Sequence, residues 1–158
     1  METQSTSTNP DVARYMAEKQ LGPYAYVVLV GLKTYDIPRL IAAIGDGLPW
    51  KAFERFRAVT GLSVEQVAEM AGLPRRTLAR RKKEGRLTPD ESDRLVRAAR
   101  VYGQALRLFD GDRDTASSWF TSRVLALGAV TPLEFMRTEL GAREVENVIG
   151  RAAYGVYS

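Results

Sequence analysis

Neither cysteine nor histidine occurs anywhere in the 158 residues. Without cysteine there is no disulfide, no thiol nucleophile and no zinc site of the usual Cys/His kind. Without histidine, the commonest general base and the commonest transition-metal ligand are also missing. Carboxylate, lysine, tyrosine or serine chemistry remains, but no such residues stand in a pairing that supports it. No metal and no cofactor are therefore expected, and an enzyme is the disfavoured class. Long apolar runs are absent too. The start, METQSTSTNPD, is polar and unlike a secretory signal, and no stretch reaches the roughly 20 apolar residues that a bilayer requires. A cytoplasmic protein is expected.

The charge that is present is unevenly placed. The net charge is only +4, but LPRRTLARRKKEGRL, residues 73–87, sets Arg75, Arg76, Arg80, Arg81, Lys82, Lys83 and Arg86 against the single acid Glu84. Arg94, Arg97 and Arg100 extend the run. A local basic zone on a nearly balanced chain reads as a nucleic-acid footprint better than uniform basicity would.

From Asp36 onward the pattern is helical, which makes the fold class mainly α. YDIPRLIAAIGDG and PWKAFERFRAVTG read as two helices closed by glycines, with Pro49 in the first turn of the second. SVEQ (63–66), TPDE (88–91) and TPLE (131–134) each read as a capping box, in which a hydroxyl and an acid or amide three residues on satisfy each other's backbone N–H. Helices are expected near 63–71, 74–83, 88–109, 114–126, 131–139 and 141–153. Residues 1–34 read as a tail, partly helical through DVARYMAEKQ. Within it YAYVVLVGL (24–32) suits a short strand or a buried segment, the strand leaving open pairing with another chain.

VEQVAEMAGLPRRTLARRKK has the grammar of a helix-turn-helix within a DNA-binding domain at 35–87. Ala68 is small where two helices must meet, Gly72 can take the positive φ of the turn, and Val64, Val67, Ala71, Leu73 and Leu78 supply the apolar contacts. On a wheel of roughly 100° per residue, with Leu78 inward, Arg76, Arg80 and Lys83 point outward and Arg75 and Lys82 flank them. Arg76, Thr77 and Arg80 would face base edges in a major groove, while Lys82, Lys83 and Arg86 would neutralise phosphates. Arg75 and Arg81 complete the expected DNA-binding set, although Arg81 falls where an apolar contact is often found. Residues 88–109 carry a stripe of Leu95, Val96, Ala99, Tyr102, Ala105 and Leu106, suited to a dimer seam or to packing within the chain. DGDRD (110–114) resembles the start of a calcium loop, but Thr115 and Thr121 stand where glycine and glutamate are needed. Capping of a helix by Asp112 or Asp114 explains it.

RRTLARRKKEGRLTPDESDRL, followed by SSWFTSRVLALGAVTPLEFMRTELGAREVENVIGRAAYGVYS, resembles the Xre antitoxins of the Xre/MbcA/ParS type from about residue 40 to the end. The resemblance implies an Xre-like helix-turn-helix followed by a small C-terminal helical toxin-binding and dimerisation domain, here 88–158. It also implies a RES-domain toxin that degrades NAD⁺ as the partner, repression of the shared operon through double-stranded operator DNA, and a homodimer that joins a larger toxin–antitoxin complex. Beside it stands a chemical reading of the C-terminus. A free carboxylate at Ser158 can pair with an arginine of a pyrophosphate site, and Tyr154 or Tyr157 can fill an aromatic slot. Toxin inhibition by plugging would then rest on Tyr154, Val156, Tyr157 and Ser158, flanked by Glu146, Asn147 and Arg151. The alternative function is a free-standing dimeric helix-turn-helix repressor whose C-terminal part only self-associates.

Overall fold

The computed structural model describes residues 24–155. DVARYMAEKQ and the terminal Val156, Tyr157 and Ser158 lie outside the described residues. The described chain is helical: α1 (Ala25–Leu29), α2 (Ile37–Asp46), α3 (Trp50–Thr60), α4 (Val64–Met70), α5 (Arg75–Glu84), α6 (Pro89–Leu108), α7 (Arg113–Thr121), a single 3₁₀ turn (Leu125–Leu127), α8 (Pro132–Phe135) and α9 (Glu139–Ala153). No membrane-crossing helix occurs among the described residues: none is both long and apolar enough.

The expected stripe on α6 organises the molecule. Leu95, Val96, Ala99, Tyr102, Ala105 and Leu106 are all buried, and α6 packs against α1, α2, α7 and α9. Each large apolar side chain so buried contributes roughly 1.5–3 kcal/mol. The helix thus packs within its own chain. Tyr102 is the midpoint of this spine, its ring edge-on to Phe56 at 5.8 Å and stacked on Phe120 at 5.4 Å. Ser117 donates its one hydroxyl proton to the Thr60 carbonyl (2.6 Å), so it accepts from the Tyr102 hydroxyl (also 2.6 Å). Burial pushes the Tyr102 phenol up to about 12.

Of the two readings of YAYVVLVGL, the buried segment holds and the short strand does not: Ala25–Leu29 form the helix α1. Its β-branched residues gain more by packing on α6 than a lone strand could gain without a partner. Ala25, Val27 and Leu29 are buried. A Cβ placed on Gly103 of α6 would lie 3.0 Å from the Ala25 Cβ, so glycine permits the close seating. Arg55 Nε donates to the Val28 carbonyl at 2.9 Å and satisfies the helix end.

The capping boxes at Ser63/Gln66 and Thr88/Glu91 form completely. At 131–134 only half of the device forms: the Thr131 hydroxyl accepts from the Glu134 N–H at 3.2 Å. Three helix boundaries differ from expectation. The helix expected at 114–126 stops at Thr121, because Val124 pairs with Val130 around the 3₁₀ turn. The one expected at 131–139 is only the single turn α8. The last helix starts at Glu139, capped by Thr138, whose hydroxyl accepts from the Gly141 N–H at 3.0 Å.

Candidate functional site

Two surfaces emerge. The first is built on α4, the turn after it, and α5. Val67, Ala68, Met70, Ala71 and Leu73 are buried beneath it. Gly72 takes φ +63°, and the Leu73 N–H bonds the Ala68 carbonyl at 2.7 Å, closing the turn. α5 itself buries no residue completely. Half-buried Leu78 packs on the core. The far end of α5 is tied back by Leu87 N–H to Leu48 O and Trp50 N–H to Gly85 O, both 2.9 Å. At 10 residues α5 is about 15 Å long, a length that a major groove admits.

Arg76, Ala79, Arg80, Lys82 and Lys83 are exposed on it. Arg75 is exposed too and meets only the partly exposed Glu65 at 3.6 Å, a contact of little energetic weight. Thr77 is half-buried, and its hydroxyl donates to the Pro74 carbonyl at 2.8 Å, so it finishes the helix start. Arg81 is not on the open face. Its side chain is 13% exposed and its Nε lies 2.7 Å from the Glu91 carboxylate, which is 7% exposed, with Glu84 at 3.1 Å on the other side. Arg86 Nη1 is spent on the carbonyls of Gly47 (2.7 Å) and Asp46 (3.2 Å). The arginines that extended the basic run on α6 are internal braces as well. Arg94 donates to the Gly72 carbonyl at 2.8 Å, Arg97 pairs with Glu139 at 3.2 Å, and Arg100 pairs with Glu146 at 3.1 Å. The free cationic face is thus narrower than composition alone implied, and it lies on one helix.

The second surface is the outer side of α9. Ala142, Val145 and Ile149 face the core. Residues 140, 143, 147, 151 and 154 fall within roughly 90° of one another on the opposite side, at 100° per residue. Asn147 is exposed and donates to Glu144 at 3.3 Å. Arg151 is half-buried, and Tyr154, the C-cap, is 86% exposed. Glu146 differs from expectation: it turns toward α6, where Arg100 Nη1 and Gln104 Nε2 both reach it at 3.1 Å. Leu140, 73% exposed, and Arg143 join the outer stripe beyond the residues expected there. The signal available is the spacing 140–143–147–151–154, with a leucine on the polar side of an otherwise well-segregated helix. Val156, Tyr157 and Ser158 lie outside the described residues.

The two surfaces are joined through α6 and the α8–α9 corner. Arg137 Nη2 reaches Glu69 of α4 at 2.6 Å, and a Cβ on Gly72 would approach the Arg137 carbonyl to 3.2 Å. A single buried cluster runs through both halves.

The model of the antitoxin Xre-like helix-turn-helix domain matches residues 39–100, and that of the antitoxin Xre/MbcA/ParS C-terminal toxin-binding domain matches residues 104–155. The two matches meet inside α6. Two proteins named antitoxin Xre are similar over 130 residues, covering 82% of this chain and 88% of each of them. The one from Photorhabdus laumondii is 35% identical, and the one from Yersinia enterocolitica is 34% identical. A third of that name, from Pseudomonas putida, is 33% identical over 84 residues, 52% of either chain.

Proposed function

The chain belongs to the Xre antitoxin family, and on that footing we propose that it holds a RES-domain, NAD⁺-degrading toxin inactive with its C-terminal part and represses the operon encoding both with its helix-turn-helix. It acts in the cytoplasm as a homodimer within a larger complex. Two copies present two recognition helices to half-sites about one DNA turn apart.

The observation that carries the DNA-binding half is the open face of α5, where Arg76, Arg80 and Lys83 face solvent while Arg81 is bound to Glu91. Arg76 and Arg80 read base edges, and Arg75, Lys82 and Lys83 neutralise phosphates. Arg81 supports the helix in place of touching DNA, and Arg86, exposed beyond its Nη1 bonds, stays within reach of a phosphate. In the toxin-binding half, Asn147, Arg151 and Tyr154 face outward, and Val156, Tyr157 and Ser158 enter the toxin's active site. Glu146 fixes α9 on α6 and acts only through that placement.

Fluorescence anisotropy on the DNA upstream of the chain's own reading frame tests the repressor half. Arg76→Ala or Arg80→Ala is expected to weaken specific binding by roughly 1–3 kcal/mol and to relax base choice at one position. Lys83→Ala is expected to lower the salt dependence by about one phosphate contact without changing base preference. Equal losses on specific and random DNA for all three variants would contradict the assignment.

A further inference from the structure

Beside the outer stripe of α9, a groove of about 420 Å³ runs between the C-terminal halves of α6 and α9, lined by Arg107, Leu108, Ile149, Gly150 and Tyr154 among others. Its wall contains an oddity. Gly150 sits within α9, where glycine is less favourable than alanine. A Cβ built there meets nothing within 4 Å, so no close packing among the described residues requires the glycine. Helix termination does not require it either. Gly155, at φ +67°, takes the left-handed position beyond the helix end. A bare position held at a cost to the helix is what a partner's backbone needs for close approach.

We propose that this groove is the seat of a toxin segment whose backbone passes directly over Gly150, making a second contact separate from the terminal plug. The proposal rests on the antitoxin reading above. Every residue named in the groove falls within the span matched by the toxin-binding domain, 104–155, so the seat is continuous with that surface. Charge selects the occupant. Arg107 is exposed at one side, and Arg151 follows Gly150 in α9. Neither pairs with a carboxylate among the described residues, whereas Glu146 in the same groove is neutralised by Arg100. An extended toxin segment carrying an acidic side chain fits this rim, and Tyr154 provides an exposed ring for it to lie against.

Gly150→Ala and Gly150→Leu in the full-length chain separate binding from folding. Affinity is measured by calorimetry against the purified protein encoded beside this chain's reading frame, and stability by thermal unfolding of the free chain. The expected result is a Tm unchanged or raised by roughly 2–4 °C for Gly150→Ala, as a helix gains a better former. Affinity should fall about tenfold for alanine and about a hundredfold or more for leucine, as added atoms fill the approach path. Wild-type affinity in both variants would overturn the seat while leaving the antitoxin reading standing. A lowered Tm would also overturn it, since packing within the chain itself would then require the glycine. If the wild-type chain does not bind that protein, the antitoxin reading fails and the seat fails with it.

Discussion

The Glu91 carboxylate accepts from the Thr88 backbone N–H at 2.9 Å and from Arg81 Nε at 2.7 Å, so one buried acid both starts α6 and fixes the end of the recognition helix. Burial pushes its pKa up, but the Arg81 and Thr88 hydrogen bonds and the Arg81 charge outweigh it. The group stays below its ordinary value of 4.5. A carboxyl with a depressed folded-state pKa contributes stability that is complete above the unfolded value and lost as pH falls through the folded one. Glu91→Gln is therefore expected to cost about 2 kcal/mol near pH 7, with the gap to wild type closing in acid below about pH 4.5. Urea denaturation at pH 7 and at pH 3.5 checks this, and a gap of equal size at both would contradict it. Arg81 also shows where sequence reading ran short. It stands in a run of bases, but its partner lies in the next helix and is itself a capping residue. A charge pattern along the chain does not reveal that pairing. Arg97 and Arg100 read as footprint for the same reason, since Glu139 and Glu146 lie far along the chain, and Arg94 spends itself on the Gly72 carbonyl and on Asp90 one turn back.

Among the elements, those with local stop and start signals were legible in the sequence. Ser63, Thr88, Thr131 and Asp112 accept from backbone N–H groups at the helix starts where such caps were expected. The Ser63 cap has a functional consequence, because α4 supports the turn that aims α5. Ser63→Ala removes an acceptor for the Gln66 N–H and is expected to cost about 1 kcal/mol. Urea denaturation would check this, and a midpoint unchanged within error would contradict it. Elements defined by distant packing were less legible. α1 carries strand-forming residues, and as a helix it seats against Gly103 of α6 while Arg55 closes its end. The 3₁₀ turn ends α7 early through a pairing of Val124 with Val130 across the loop, which helical periodicity does not register. The outer stripe of α9 was half visible. Tyr154, Arg151 and Asn147 are legible in the sequence, whereas Leu140 belongs to no motif and Glu146 turns inward to partners on α6.

Across the whole molecule, α6 prevents the two functional surfaces from being independent. Its first half falls in the helix-turn-helix match and its last residues in the toxin-binding match, and one core covers both. Arg94 braces the turn at Gly72, Arg97 braces the start of α9 at Glu139, and Arg137 closes the circuit onto Glu69 of α4. A partner seated on α9 thus bears on a helix that these contacts connect to the recognition face. The central claim is that this chain neutralises an NAD⁺-degrading toxin through its C-terminal end. Its most direct test is cellular NAD⁺, measured while the protein encoded beside this reading frame is expressed alone, with the full chain, or with a chain ending at Gly155. The account predicts depletion with the neighbour alone, restoration by the full chain, and little or no restoration by the shortened one. Depletion that the full chain does not relieve, or NAD⁺ that never falls, would contradict it.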